Sequence, residues 1–270
     1  MTDKSLNNRI SWKRILLFFI IATAISNLFR LDVFNIASTM QKLPAWFFIL
    51  SYTLLNASGV LLGAFLVLPR LRKERKVEMS LFGTSKFKSL LMSAIPIVLL
   101  TAIGVENTYN MEPHTFAFVA IITTTLYCIE EEYGWRGYLQ EELKGLKPWK
   151  KYTLIGLMWY VWHLSFIFDK AIGSNLLFLA LLIFGSWGIG KVAETTHSVL
   201  ASACFHLIVQ IMMLNSLFRD SPNATTKAIV FVVCVGAWFT TPRTKRIGTN
   251  RIKIYCTALI NNNLQPQCRR

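Results

Sequence analysis

Residues 115–143 read TFAFVAIITTTLYCIEEEYGWRGYLQEEL, and the two halves of this stretch differ sharply in character. From Thr115 to Ile129 there is no charge; from Glu130 onward come three adjacent glutamates, an arginine and a second acidic pair, with no proline to interrupt the run. About 20 apolar residues carry a helix across a bilayer. The stretch therefore reads as a long membrane helix whose last turns are polar. A charged group near the bilayer centre costs on the order of 3 kcal/mol, so these side chains must face a protein interior or a wet cavity rather than lipid.

The rest of the chain has the same membrane character. Of its 270 residues 53% are hydrophobic and only 16% charged, with a mean hydropathy of +0.44. Intrinsic disorder, a collagen-like fibre and a small disulfide scaffold are excluded by that arithmetic. Lys and Arg number 29 against 14 Asp and Glu, a net charge of +15. On a polytopic membrane chain such an excess marks cytoplasmic loops and anionic lipid headgroups, not nucleic acid. The cysteines have no metal-knuckle or redox spacing.

The sequence predicts an all-α membrane protein with about eight transmembrane helices, at 12–29, 45–68, 88–105, 115–143, 152–168, 175–190, 197–218 and 226–240. Residues 1–240 are expected to form a single transmembrane helical domain and 241–270 a polar cytoplasmic tail. With the N-terminus inside, 23 basic residues fall on the inner segments and 5 on the outer, Arg136 alone standing outside the sort. That split places both termini in the cytoplasm. The short loops suggest a prokaryotic plasma membrane, with the endoplasmic reticulum membrane as the alternative.

Besides Glu130–Glu132 and Arg136, three histidines fall within the predicted spans: His163, His197 and His206. Counting from the nearest basic flank at about 1.5 Å per residue puts Glu131 about 20 Å in, His163 about 18 Å and His206 about 22 Å. Three helices of alternating direction thus bring polar groups to one level. Within each helix the partners stand four apart, on one face: Glu132 with Arg136, Trp159 with His163, His206 with Gln210. Glu131 and Glu132 point about 100° apart, so one can face a reaction centre while Arg136 pins the other. Two histidines and a carboxylate converging in a cavity could activate a water or bind a metal. His197, flanked by Thr195, Thr196 and Ser198, reads as interfacial or capping; His114 falls on the opposite side of the membrane.

The segment Glu131-Glu132-Tyr133-Gly134-Trp135-Arg136-Gly137 fits E-E-x-x-x-R and resembles the signature of the CPBP family of CAAX prenyl protease and bacteriocin-processing intramembrane endopeptidases, especially the type II CAAX prenyl proteases. The second family motif, F-x-x-x-H, corresponds to Trp159–His163 with Trp159 in place of phenylalanine. The third, H-x-x-x-N, corresponds to His206–Gln210 with glutamine in place of asparagine. The likeness covers about residues 115–218.

The resemblance implies hydrolysis of a peptide bond in a membrane-tethered peptide or protein, for example a prenylated CAAX-type C-terminus, admitted from the cytoplasmic side. It implies Glu131 as general base, His163 as the group orienting the water, and His206 with Gln210 as oxyanion donors. Glu132, Arg136, Trp135 and Trp159 are the supporting residues. No cofactor is expected; a divalent metal such as zinc, held by Glu131, His163 and His206, is the alternative scheme. A catalytically impaired relative acting in bacteriocin immunity or as a membrane scaffold is the second reading, and an ion or proton-coupled transporter the third. A transporter predicts pseudo-repeats with broken helices, and none is evident in the sequence.

Overall fold

The structure is a computed structural model, and it describes residues 9–169, 171–213 and 215–240. Among these residues the regular structure is helical, apart from one isolated bridge between Ser80 and Ser198. The helices are α1 (Trp12–Arg30), α2 (Ile36–Met40), α3 (Ala45–Glu74), α4 (Lys86–Ile103), α5 (Pro113–Gly134), α6 (Gln140–Glu142), α7 (Pro148–His163), α8 (Ser165–Phe168), α9 (Ile172–Thr196), α10 (Val199–Met213) and α11 (Ala224–Thr240). The described residues up to Trp238 form one compact unit. The tail expected over 241–270 lies outside the described residues.

Helix runs through all eight predicted segments, but the fourth and fifth are each divided, into α5, a π turn and α6 and into α7 and α8. Four helices, α1, α3, α4 and α9, are long and apolar enough to cross a membrane, and α10 and α11 are shorter apolar helices. Large exposed hydrophobics on these elements, such as Leu16, Phe65, Val98, Leu177, Phe184 and Val232, form the surface that lipid covers. The protein is of integral membrane type.

Local chemistry sets the helix ends. Ser85 caps α4 by accepting from Lys88 N at 3.2 Å. Glu112 accepts from His114 N (3.0 Å) and Thr115 N (2.7 Å), and Pro113 supplies the first residue of α5. His197 takes the left-handed conformation that closes α9, which is the capping position its neighbours suggested. The sixth predicted segment is longer than expected, because α9 continues past Lys191 to Thr196. There Lys191 and Lys151 both reach Glu194, at 2.9 and 2.6 Å.

The long fourth segment is not one regular helix. After Gly134 the backbone passes through a π-helical turn, Trp135–Leu139, before α6. A π turn accommodates one extra residue and rotates the side chains beyond it. Gly134 is where α5 meets α3: a Cβ there would lie 2.3 Å from Val60 Cγ1 and 2.9 Å from the Val60 carbonyl oxygen. Only glycine permits that approach.

The acidic pair at the end of this segment is not solvated. Glu142 is fully buried, with Arg14 Nε at 3.0 Å from Oε2 and Arg75 Nη2 at 3.7 Å from Oε1. Arg14 also pairs with Glu74. Close by, Lys144 meets Glu78 at 2.9 Å and holds that carboxyl below the usual carboxylate range. Basic and acidic groups thus tie α1, α3 and α6 together at the end of the bundle that carries the lysine- and arginine-rich segments.

Candidate active site

The three polar helices converge, and the pairs spaced four apart meet: Arg136 with Glu132, His163 Nδ1 with the Trp159 carbonyl, and Gln210 with His206. Glu131, Glu132 and Arg136 are fully buried and His206 nearly so. Glu131 Oε2 accepts from the indole N–H of Trp159 at 2.8 Å, while its Oε1 has no hydrogen-bond partner among the described residues. Trp159 therefore touches the presumptive base directly. Glu130 is only partly buried and takes part in neither pairing.

Glu132 has a different environment. Arg136 Nε lies 3.1 Å from its Oε2, Arg136 Nη1 donates to its Oε1 at 3.3 Å, and His206 Nδ1 stands 2.9 Å from the same Oε1. Arg136 also donates to the Ser186 carbonyl at 3.4 Å, a contact with α9. The two adjacent glutamates are thus distinguished by charge compensation: Glu132 is bracketed by a guanidinium and an imidazole, Glu131 by the neutral Trp159 indole and the nearby Tyr127 hydroxyl.

His206 does not face Glu131. Its ring stands edge-on to Trp159, at 4.9 Å between centroids, and its Nε2 is 3.2 Å from Gln210 Nε2. With Nδ1 protonated toward Glu132, Nε2 accepts one N–H of the Gln210 amide and leaves the second N–H unspent. Asn215, in the connection after α10, donates to Gln210 Oε1 at 3.4 Å and to Thr124 Oγ1 at 3.1 Å. It orients the longer amide that stands where the family motif has asparagine.

His163 ends α7. Its Nδ1–H donates to the Trp159 carbonyl at 2.8 Å, so Nε2 carries the lone pair. The ring is packed between Trp162 and Phe178, at 4.8 and 5.2 Å. Trp135 is buried away from the carboxylates, against Phe18 and Trp162 at 5.4 and 5.9 Å.

A cavity of about 510 Å³ adjoins this cluster, lined in part by Arg30, Tyr52, Tyr127, His163, Gln210 and Asn215. Glu131 and His206 do not line it themselves. Tyr127 and Gln210, one helical turn from each, do. Arg30, Tyr127 and Asn215 were not singled out in the sequence; only Tyr127, four residues before Glu131, carried a spacing signal.

The cavity has a defined place along the bundle. Its lining comes from the end of α1, the start of α3 and the connections after Ile103 and Met213. That is the end opposite the basic segments and their ion pairs.

A family of known proteins accounts for these motifs. Residues 113–212 match the family model described as type II CAAX prenyl endopeptidase, Rce1-like. No match to the chain was found among curated proteins, and none among solved structures. The Rce1-like segment contains all eight residues picked out from the sequence, and the family is the one their motifs resemble. The match covers 100 of the chain's 270 residues, and the family it describes is one of prenyl endopeptidases. For the metal scheme, no group of three or more His, Cys, Asp or Glu side chains placed to hold an ion occurs among the described residues. Within the Rce1-like segment His206 stands with Nδ1 near Glu132 and Nε2 near Gln210, and Glu131, His163 and His206 are not grouped as one ligand set among the described residues.

Proposed function

We propose that the chain is an intramembrane endopeptidase that hydrolyses a peptide bond of a membrane-tethered substrate by carboxylate-activated water. The prenylated CAAX-type C-terminus is the substrate class the family suggests. The observation that carries this reading is the asymmetry of the adjacent glutamates. Glu132 is neutralised in place by Arg136 and His206, while Glu131 keeps one oxygen fixed by Trp159 and the other unspent.

In this mechanism Glu131 takes a proton from the attacking water as its oxygen bonds to the carbonyl carbon. His163 Nε2, held as an acceptor by its Nδ1–H bond to Trp159, takes a hydrogen bond from the same water and orients it. The unspent N–H of Gln210 donates to the oxyanion. His206, its Nε2 already engaged, positions that amide rather than donating itself, which modifies the role suggested by resemblance. Collapse of the tetrahedral intermediate breaks the C–N bond, and Glu131 returns its proton to the leaving amine.

The test is cleavage of a membrane-tethered reporter library by the purified chain and by Glu131→Gln, His163→Ala and His206→Ala variants. Loss of processing with Glu131→Gln is expected; equal processing by all four proteins overturns the assignment. The scaffold reading rests on Gln210 in place of asparagine, and the hold that Asn215 and His206 have on its amide favours the catalytic one.

A further inference from the structure

The cavity contains a cation that the mechanism does not use. Arg30, the last residue of α1, is the charged residue among its described lining. Its guanidinium lies flat over the Trp162 ring at 3.5 Å. Nη1 donates to the Trp162 carbonyl at 3.3 Å and Nη2 to the Tyr127 hydroxyl at 3.1 Å. Among the described residues no carboxylate pairs with it. Asp32, the acid nearest in sequence, accepts instead from Ala37 N at 2.9 Å.

A guanidinium has five N–H donors in one plane. Two are spent here on neutral oxygens and one face is covered by indole, which leaves an oriented fork turned to the cavity without its natural counter-ion. Such a fork matches a carboxylate in bidentate geometry. Its height in the cavity is also defined. Tyr127, which it holds, precedes Glu131 by four residues, a rise of about 6 Å.

We propose that Arg30 binds the free C-terminal carboxylate of the substrate peptide. This inference rests on the cavity being a peptide site. Through Tyr127, one helical turn before Glu131, the bound carboxylate is kept beside the reacting part of the peptide, and Arg30 acts in binding and register rather than in the chemical step. A lipid phosphate would satisfy the same fork, but Arg30 sits against Tyr127 and Trp162 inside the cavity wall, where a peptide terminus reaches more readily than a headgroup.

The test is equilibrium binding to the purified full chain in detergent, read by fluorescence anisotropy. The probe is a fluorescein-labelled, S-farnesylated peptide ending Cys-Ala-Ala-Leu, prepared as the free acid and as the C-terminal amide. The acid is expected to bind at least 10-fold tighter to the wild-type chain, with the ratio falling to about one in Arg30→Gln and partly retained in Arg30→Lys. Equal binding of acid and amide by the wild type, or binding of neither, overturns the proposal. So does displacement of both peptides alike by phosphatidylglycerol micelles, the result expected of a headgroup site. The comparison of acid with amide on the wild type does not depend on any variant folding. Acid-selective binding without cleavage would uphold the Arg30 site and remove the protease reading. Glu131-dependent cleavage of acid and amide alike would do the reverse.

Discussion

Glu131 and Glu132 are neighbours in sequence with opposite energetic roles. Removing the carboxylate of Glu132 leaves Arg136 buried without its counter-charge, and breaking a buried pair in this way costs about 3–5 kcal/mol. Glu132→Ala is therefore expected to lower the thermal midpoint in detergent markedly, whereas Glu131→Gln, which has only neutral neighbours Trp159 and Tyr127 to satisfy, leaves it nearly unchanged while abolishing cleavage. Thermal unfolding of the two variants beside a cleavage assay checks both halves. Gln210→Asn draws the amide back by one methylene from His206 and Asn215, so cleavage is expected to fall by roughly 10- to 100-fold, somewhat less than for loss of an oxyanion donor. A gain of activity would mean that the longer amide impairs the site. The sequence identified these residues through their spacing of four, which speaks only for one face of one helix. Whether His206 meets Glu131 or Glu132 is decided between helices, and no spacing reports it.

At the scale of elements, the apolar runs located the helices because hydrocarbon leaves so few alternatives for a backbone. Short α2 and the π turn were not legible. The first lacks a long apolar run; the second differs from the α-helix by one residue in a ladder whose hydrophobic pattern it barely disturbs. Yet that turn carries Arg136, and Gly134 immediately before it allows the contact with Val60. Gly134→Ala is expected to push α5 from α3 and destabilise by about 1–3 kcal/mol. Gly137→Ala, whose nearest neighbour would be Val199 Cγ2 at an ordinary 3.6 Å, should be tolerated. Unfolding of the pair in detergent distinguishes a requirement of packing from a general cost of replacing glycine in the motif.

For the whole molecule, charge sorting and cavity position make a joint statement about sidedness. If the basic segments face the cytoplasm, the cavity faces the other side. Single cysteines at Asn107 and Lys147, in a background with the native cysteines replaced, report this in intact cells. Asn107→Cys is expected to react with an impermeant maleimide from outside and Lys147→Cys only after permeabilisation. The reverse pattern would restore substrate access from the cytoplasm and set the basic excess aside as a topological signal. The ion pairs at the basic end have a further mechanical meaning. Arg14, Glu74, Arg75 and Glu142 clamp three elements there, and Lys144 with Glu78 and Lys151 with Glu194 add further ties. A bundle riveted at one end behaves like a clothes-peg: it can splay only at the other, where Tyr127 and Gln210 stand between the cavity and the groups behind them.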